Sequence, residues 1–404
     1  GSFAWKGVDT TVERALALIE QGALANDSVE TLAARLGISD RYLRSLFKEK
    51  LGTTPKHYAL YQQLLFAKQL LHQSALSITD VAFSSGFNSL RRFNDSFKQH
   101  FKLTPQQVRK QQKQPSDHIE LILSYRPPYR WDLMQGFLSK RLIPGLEWMT
   151  EEGYGRTFSW GNDGLQGYFE ATHLADKNAF KIKLFTAEKA NILPLVKNIR
   201  RILDLDTDIA LIEQQLSQLP GMAGKLVSGL RLPGIWCSFE AGLRAILGQQ
   251  ISVEAARKLV CQVVDNYGEL LLNCEKELGC GKEQGERRLF PTAEALSEVD
   301  FEILRIPQSR KNTLMTFCRY CFENPLQDDL DQWLKLKGIG PWTVNYAKMR
   351  GQSDSDIWLG SDLGVIKALK KLSGESGDDN ADFDSEQAKP WRSYLTFQCW
   401  NLLY

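Results

Sequence analysis

The stretch that decides the fold is "LKGIGPWTVNYAKMRGQSDSDIWLGSDLGVIKAL", which runs from Leu336 to Leu369. Its Gly-Ile-Gly turn, Gly338 to Gly340, lies between apolar segments with helical spacing, and glycine takes backbone angles that a Cβ forbids. The turn therefore predicts two helices that meet tightly and expose bare backbone. Asp362 follows 22 residues after Gly340 and opens another apolar run, a pattern that by itself indicates a helix N-cap.

The length of 404 residues predicts two or three domains. No apolar run reaches the roughly 18 to 20 residues that a membrane span requires, and the first residues lack the basic segment of a secretory signal. We therefore expect a cytoplasmic protein. The initial Gly-Ser without Met resembles a cleavage scar, so we expect the natural protein to carry a further segment before residue 1.

The charge is unevenly distributed along the chain. Residues 1–115 hold 16 Lys and Arg against 9 Asp and Glu, whereas the rest holds 34 against 39. A basic first quarter favours a polyanionic partner, although an ordinary solvated surface remains an alternative at this size.

Cysteine and histidine usage argues against metal chemistry. All seven cysteines lie at or beyond Cys237, and Cys318 and Cys321 form the only close pair, which is too few ligands for zinc. No Cys-rich C-terminal run is present to hold an iron–sulfur cluster. No histidine follows His173, which removes histidine-based nuclease, metal or triad chemistry from the second half of the chain.

The first hundred residues contain an internal repeat with helical spacing. "VETLAARLGISDRYLRSLFKEKLG" begins at Val29 and "ITDVAFSSGFNSLRRFNDSFKQHF" begins at Ile78, with Gly37 and Gly86 at the same place in both copies. In each copy a short helix ends at a glycine suited to the left-handed conformation, and a basic helix follows. The polar residues predicted to cap the second helices are Ser39 and Asn88. The pattern is that of a helix-turn-helix unit, present twice.

The rest of the chain divides into a linker, a strand-rich part and a helical part. Alternating apolar and polar residues predict antiparallel strands in "HIELILSY", "LQGYFEATH" and "FKIKLF", and helical spacing returns from Leu193. "GCGKEQGE" and the acidic segment from Ser373 to Glu386 are predicted surface loops. The predicted fold is mainly α with a small α+β subdomain. The predicted limits are 1–110 for the paired helix-turn-helix domain, 111–117 for a linker, 118–200 for the antiparallel subdomain, and 201–404 for the helical core.

The first domain resembles the AraC-type paired helix-turn-helix domain in the version found in Ada adaptive-response regulators, including "GTTPKHY" and "FKLTPQQVRK" after the two units. The resemblance implies two recognition helices that enter successive major-groove faces, the first beginning near Ser39 and the second near Ser89. Arginine is suited to guanine edges, although contact with phosphate alone is an equal alternative for Arg44 and Arg91. The residues implied as DNA contacts are Arg41, Arg44, Ser45, Leu90, Arg91 and Asn94.

Residues 116–404 resemble a DNA-3-methyladenine glycosylase of the second type, within the helix-hairpin-helix superfamily. Four quoted elements match in order: "RLPGIWCSFEAGLRAILGQQIS", "LKGIGPWTVNYAKMRG", "LGSDLGVIKAL" and "KPWRSYLTFQCW". The whole chain thus resembles a fusion of an Ada-like regulator with this glycosylase. Ada regulators also use a zinc-held methyl-acceptor cysteine, and no cysteine precedes Cys237 here.

The resemblance to the glycosylases assigns roles around the hairpin. It implies that amides at Gly338 and Gly340 hold a DNA phosphate, and that Gln250 is the wedge that fills the gap left by a flipped nucleotide. It also implies a monovalent cation, Na⁺ or K⁺, on the backbone carbonyls of Leu334, Leu336 and Ile339. The residues implied for the base pocket are Trp342, Tyr346, Trp400 and Leu363, the last of which stands where some relatives have tyrosine. Taken singly, each of the three aromatic residues is more often a core residue than a pocket residue, and only their joint match to the family pattern favours the pocket.

The resemblance makes Asp362 the catalytic carboxylate that stabilises the developing sugar cation, with no cofactor for the chemistry. Relatives that also nick DNA carry a lysine nucleophile after the hairpin, where this chain has Trp342. The function implied is a monofunctional glycosylase for alkylated bases fused to a promoter-binding domain, with RNA polymerase as a further partner. The resemblance also implies a bacterial, nucleoid-associated protein. Two alternatives are a non-enzymatic regulator, which an intact Asp362 opposes, and a glycosylase/lyase for oxidised bases, which the absent lysine opposes.

Overall fold

A computed structural model describes residues 3–24, 27–109, 118–161, 164–186, 191–271, 286–326, 328–373 and 384–403. The described residues form two compact units. The first comprises Gly1–Ile122, Trp160–Gly167 and Ile182–Ile199, and the second comprises Leu123–Ser159, Tyr168–Lys181 and Arg200–Tyr404. The predicted linker 111–117 lies outside the described residues, as do most of the two predicted surface loops, so the domain limits stay predictions.

Among the residues that the structure describes, seven helices form the N-terminal part of the first unit: α1 (Phe3–Glu20), α2 (Val29–Arg35), α3 (Asp40–Leu51), α4 (Pro55–Gln73), α5 (Ile78–Ser84), α6 (Leu90–Phe101) and α7 (Pro105–Val108). The α2–α3 and α5–α6 pairs are the two helix-turn-helix units predicted by the repeat. Gly37 and Gly86 have φ of +72° and +84°, which confirms the left-handed turns.

Serine residues cap both recognition helices. Ser39 accepts a hydrogen bond from the amide of Tyr42 at 3.2 Å, and Ser89 accepts one from Arg92 at 3.2 Å. The prediction that Asn88 caps the second recognition helix is therefore wrong by one residue. Because Ser89 has extended backbone angles and directly precedes α6, its hydroxyl is the group that reaches the free amides of the first turn.

Two glutamines one turn apart on α4 reach the main chain of the first strand. The side-chain oxygen of Gln73 accepts from the amide of Ile122 at 2.9 Å, and Gln69 Nε2 donates to the carbonyl of Ile122 at 3.1 Å. These two bonds satisfy an amide and a carbonyl that an edge strand would otherwise leave unpaired.

In the described part of the chain, five strands form one sheet in the order β1-β5-β4-β3-β2. They are β1 (Ile119–Ser124), β2 (Glu147–Met149), β3 (Gly153–Trp160), β4 (Leu165–Leu174) and β5 (Ala179–Thr186). β1, β4 and β5 confirm the three predicted strands, whereas β2 and β3 were not predicted. β3 is buried on both faces and carries two glycines and a buried arginine, so its sequence, "GYGRTFSW", lacks the alternation that reveals a half-exposed strand.

The helices that follow β1 are α8 (Trp131–Ser139), α9 (Leu193–Ile202), α10 (Ile209–Leu216), α11 (Ser238–Gly248), α12 (Val253–Tyr267), α13 (Ala293–Leu296), α14 (Gln308–Glu323), α15 (Pro341–Gly351), α16 (Leu363–Ser373) and α17 (Arg392–Asn401). Short 3-10 helices span Ala175–Lys177, Leu330–Lys335 and Ser385–Ala388. No helix of the described residues is long and apolar enough to cross a membrane.

Helix α15 lies between two hydrophobic clusters of the second unit. Val344 and Ala347 belong to one cluster, with residues of α11, α12 and α14, and Met349 belongs to the other, with residues of α10, α16 and α17. This central position brings the start of α15 next to the start of α16, where Asp362 lies.

Candidate active site

The Gly-Ile-Gly turn joins the 3-10 helix Leu330–Lys335 to α15, as the hairpin pattern predicts. Gly338 has a φ of +91°, and a Cβ at this position would lie 2.0 Å from Thr313 Oγ1 of α14. Among the described residues, neither the amide of Gly338 nor that of Gly340 donates a hydrogen bond. Both donors are therefore available to an external acceptor such as a phosphate oxygen.

The three carbonyls predicted to bind a cation belong to the segment that enters this turn. The carbonyl of Leu336 accepts the amide of Ile339 at 3.1 Å, which uses one of its two lone pairs. Leu334 is exposed, whereas the side chain of Ile339 is buried and fixes the turn against the core. Backbone carbonyl oxygens are ligands that suit a hard cation, and the three residues lie within six positions of one another, from the 3-10 helix to the turn.

Asp362 caps α16. Its Oδ1 atom accepts the amides of Gly364 at 2.9 Å and Val365 at 3.2 Å, which confirms the capping role that the local pattern indicates. A side chain at Gly364 would force the carboxylate or the indole to shift, because a Cβ would lie 2.9 Å from this oxygen and 3.1 Å from the indole of Trp400.

Two indoles hold the same carboxylate from the other side. Trp400 Nε1 donates to Oδ1 at 2.9 Å, and Trp342 Nε1 donates to Oδ2 at 3.1 Å. Four N–H donors thus orient the group, and no cation pairs with it among the residues that the structure describes. The negative charge remains available to a positive group that enters from the cleft, and Oδ2 carries only one of the four bonds.

The aromatic residues form a wall beside Asp362. Trp342 and Tyr346, one turn apart on α15, stack with ring centroids 5.3 Å apart and an interplanar angle of 24°. The hydroxyl of Tyr346 accepts from Arg350 Nη1 at 3.3 Å, and burial lowers the pKa of Arg350 to about 10. Trp342, Tyr346 and Trp400 also pack against the hydrophobic core, so the core and pocket interpretations describe different faces of the same rings.

A cleft of about 1020 Å³ brings most of the predicted glycosylase residues together. Leu363 lies at its mouth with 71% of its surface exposed, and Gln250 is exposed with a φ of +58°. The predicted residues that line the cleft are Gly340, Trp342, Tyr346, Asp362, Leu363, Trp400 and Gln250. Gly338, Leu334, Leu336 and Ile339 lie on the hairpin outside this lining.

Several residues of the cleft were not predicted from the sequence, among them Gln249, Thr343, Arg350 and Gly364. Gly364 could have been predicted from the sequence, because a glycine two positions after Asp362 indicates the close approach of another group. Gln249 and Thr343 carried no such signal, because their partners are 61 to 94 residues away in the chain.

A buried cluster of charged residues contributes Glu147 and Arg244 to the lining of the cleft. Arg156 bridges Glu147 at 2.8 Å and Glu240 at 2.5 Å, and Arg244 reaches the same two carboxylates at 3.1 and 2.7 Å. Burial opposes ionisation of Glu147, but Arg244 and Arg156 keep its pKa below the ordinary value. Burial, reinforced by the charge of Glu147, raises the pKa of Tyr154, whose hydroxyl donates to that carboxylate.

The predicted contacts of the helix-turn-helix domain lie on one face of each recognition helix. Leu43 and Phe47 of α3 and Phe93 and Phe97 of α6 are buried, which turns the opposite face outward. Arg41, Ser45, Arg91 and Asn94 are exposed, and Arg44 and Leu90 are half-buried. Arg44 is engaged with Glu30 at 3.0 Å and Asp40 at 3.5 Å, whereas Arg91 pairs, among the described residues, only with Asp95 at 4.0 Å.

Comparisons with known proteins agree with this architecture. A family model described as the AlkA N-terminal domain matches residues 120–237, and one described as a helix-turn-helix domain matches residues 32–111. A Mycobacterium tuberculosis protein named as a probable bifunctional transcriptional activator/DNA repair enzyme AlkA is 30% identical over 423 residues, covering 100% of this chain and 82% of that protein. DNA-3-methyladenine glycosylase 2 of Escherichia coli is 30% identical over 289 residues, covering 69% of this chain and 95% of that protein.

Among solved structures, a 3-methyladenine DNA-glycosylase from Archaeoglobus fulgidus matches 69% of this chain and 97% of its own, with a TM-score of 0.57 and 17% identity. This similarity is one of fold. The fold and the cleft thus define a helix-hairpin-helix DNA glycosylase preceded by a paired AraC-type helix-turn-helix domain. The chain belongs to the AlkA family of bifunctional transcriptional activator/DNA repair enzymes.

Proposed function

We propose that this chain removes alkylated bases of the 3-methyladenine type from duplex DNA by hydrolysis of the N-glycosidic bond. The observation that carries the proposal is the carboxylate of Asp362, which two indoles and two backbone amides orient in a cleft walled by aromatic rings. The names of the relatives support the same substrate class.

In the proposed reaction the bond between the sugar C1′ and the base nitrogen breaks first, and its electron pair leaves with the base. An alkylated purine that carries positive charge becomes neutral as it leaves, so it needs little help from an acid. The carboxylate of Asp362 stabilises the oxocarbenium-like sugar, and a water oxygen then bonds to C1′ and releases a proton. Oδ2 is the oxygen assigned to face the sugar, because Oδ1 already accepts three hydrogen bonds.

The pocket selects cationic bases in this proposal. Electron-rich rings attract a cation over their faces, by about 0.5 to 2 kcal/mol each, and Trp342, Tyr346 and Trp400 supply such rings. Leu363 adds an apolar side chain at the mouth of the cleft and leaves that wall open to solvent. Gln250 enters the duplex as the wedge when the nucleotide rotates into the pocket.

The hairpin anchors the duplex without reading its sequence. The free amides of Gly338 and Gly340 bind a phosphate oxygen of the backbone, which fixes the position of the DNA relative to the cleft. Leu334, Leu336 and Ile339 are the residues whose carbonyls would hold a monovalent cation, which would supply positive charge for a second phosphate contact.

The paired helix-turn-helix domain places the protein at promoters, with Arg41, Arg44, Ser45, Leu90, Arg91 and Asn94 as the contacts. The exposure of Arg41, Ser45, Arg91 and Asn94 on one face of each recognition helix supports this role. RNA polymerase is the partner proposed at these sites, since a relative is named as a transcriptional activator.

The direct test of the enzymatic proposal is base release from alkylated duplex DNA. We expect this chain to release 3-methyladenine and to leave an intact strand with an abasic site, because Trp342 stands at the position after the hairpin where a lyase would carry the lysine that forms a Schiff base. Chromatography of the released bases and a denaturing gel of the strand measure the two results. A strand nicked by the protein without alkali would contradict the monofunctional assignment, and an absence of free base would contradict the proposal itself.

A second expected result concerns the recognition helices. Arg91→Ala should weaken specific DNA binding by about 1 to 3 kcal/mol if Arg91 reads a base edge, and it should relax specificity at one position. A role in phosphate contact alone would instead weaken binding to all sequences uniformly and lower the salt dependence. Affinity measured for specific and scrambled duplexes at several salt concentrations separates these results. Arg92→Ala, the exposed neighbour on α6, is the matched control.

A further inference from the structure

The loop between α11 and α12 is fastened to the hairpin through Gln249. Its Nε2 atom donates to the carbonyl of Gly338 at 3.1 Å and to Thr343 Oγ1 at 3.1 Å. The main-chain carbonyl of Gln249 accepts a hydrogen bond from Arg310 Nη2 of α14 at 2.8 Å. We name this set of three bonds, made by Gln249 with Gly338, Thr343 and Arg310, the loop latch.

The latch joins elements that are fixed by other contacts. Thr343 lies in the first turn of α15 and is buried, and both hydrogens of the Gln249 amide nitrogen are used. Thr313, on the same helix as Arg310, donates to the carbonyl of Lys337 at 3.1 Å, next to Gly338. The loop is thus held to the hairpin turn and to the helix that braces the turn.

The two residues that follow Gln249, Gln250 and Ile251, need a fixed position while the nucleotide flips. Gln250 has a φ of +58°, a conformation that a non-glycine residue keeps only where its surroundings determine it. Gln250 and the adjacent Ile251 are both exposed and both line the cleft. A side chain that fills the space left by a departing base has to resist the closing of the stack, so its loop needs a rigid support.

We infer that Gln249 is a positioning residue for base flipping. Gln249 fixes the position of the adjacent Gln250 relative to the hairpin. Binding of the DNA phosphate by the hairpin therefore also sets where Gln250 enters the base stack. The inference rests on the proposed function, because it uses the hairpin as the phosphate site and Gln250 as the wedge. It adds a residue whose contribution appears in flipping and not in the hydrolytic step.

The experiment compares the full chain with Gln249→Ala and Thr343→Val under single-turnover conditions at saturating protein. The substrate is a duplex with one alkylated purine paired normally. We expect Gln249→Ala to slow base release roughly 10- to 100-fold, the scale of a misplaced positioning group. Thr343→Val removes one of the bonds and should fall between Gln249→Ala and the parent. Gln262→Ala, at an exposed position of α12 outside the cleft, is the control and should match the parent.

A second duplex separates positioning from structural damage. When the alkylated purine stands opposite an abasic site, it is already unpaired and flips at lower cost. We expect the defect of Gln249→Ala to shrink to a few-fold on this duplex. The fluorescence of a 2-aminopurine placed next to the damaged base, which reports unstacking, should rise less with Gln249→Ala than with the parent. Affinity for undamaged duplex should stay within about threefold, since the phosphate contacts remain.

Two results would overturn the inference. One is a Gln249→Ala variant that flips and releases the paired base as fast as the parent. The other is a variant slowed equally on both duplexes, which would indicate damage to the fold or to the hydrolytic step. If the parent itself released no base, the proposed function would fail, and the 2-aminopurine signal of parent and variant would still decide the role of Gln249.

Discussion

Replacing Asp362 by Asn is expected to give a folded protein that binds alkylated DNA and releases almost no base. The change keeps an oxygen for the amides of Gly364 and Val365, so the cap of α16 should survive. It removes the negative charge that stabilises the sugar cation. By analogy with other preorganised electrostatic groups, the loss should be on the order of 10² to 10³ in rate.

The structure adds a second effect of this change that needs a control. Because the amide oxygen is retained at the three donors around Oδ1, the new NH₂ group faces Trp342 Nε1, which donates to Oδ2 at 3.1 Å in the parent. The NH₂ group and the indole N–H are both donors, so they repel each other and favour a shift of the indole. Trp342→Phe removes the indole donor. The Asp362→Asn/Trp342→Phe double variant therefore lacks the carboxylate charge but contains no pair of opposed donors.

Single-turnover release of 3-methyladenine by the four proteins decides between the explanations. If charge is the cause, the double variant stays as slow as Asp362→Asn, while Trp342→Phe alone retains most of its rate. Recovery of the double variant to within a few-fold of Trp342→Phe would end the catalytic assignment of Asp362. Binding of Asp362→Asn to alkylated duplex should be equal to or slightly tighter than that of the parent, because a carboxylate near the DNA polyanion has been neutralised.

Glu240→Leu is expected to cause the largest loss of stability. Glu240 is fully buried and faces Arg156 and Arg244, and its removal leaves two guanidinium groups with Glu147 alone. Breaking a buried ion pair on one side costs about 3 to 5 kcal/mol. Leucine has a similar volume, so the effect reports charge balance and not a cavity. Denaturant unfolding followed by tryptophan fluorescence measures it.

A matched control variant restores the charge balance of the buried cluster. In Glu240→Leu/Arg156→Met one positive and one negative group have been removed, and Glu147 still accepts from Arg244 at 3.1 Å and from Tyr154 at 3.1 Å. Replacing a buried pair by apolar residues is often neutral, so the double variant should regain most of the lost stability. A double variant as unstable as the single one would show that packing of Glu240, and not its charge, supports this part of the fold.

The same cluster gives the stability a dependence on pH. The folded protein holds the pKa of Glu147 below its ordinary value of 4.5. The stabilisation from this residue is therefore fully present above about pH 4.5 and is lost as the pH falls through the lower, folded-state pKa. In the parent the unfolding midpoint should decline steeply in this acidic range.

The helix-turn-helix repeat shows why much of this molecule could be predicted from its sequence. Gly37 and Gly86 control a turn within their own segment, and Leu43, Phe47, Phe93 and Phe97 lie at helical spacing, so their effects are local in the chain. The same holds for the hairpin at Gly338 and for Asp362 as an N-cap. Strands β1, β4 and β5 could also be predicted from alternating apolar and polar residues, because each strand has one buried face and one more exposed face.

What only the tertiary structure decided is which distant groups meet. The carboxylate of Asp362 receives indoles from 20 residues before and 38 residues after it, and Gln249 reaches a carbonyl 89 residues away. Strand β3 escaped prediction because Arg156 is buried, and it can be buried only because Glu147 and Glu240 arrive from other elements. Local spacing determines backbone conformation, whereas desolvated hydrogen bonds and charges depend on partners that the chain brings together only when it folds.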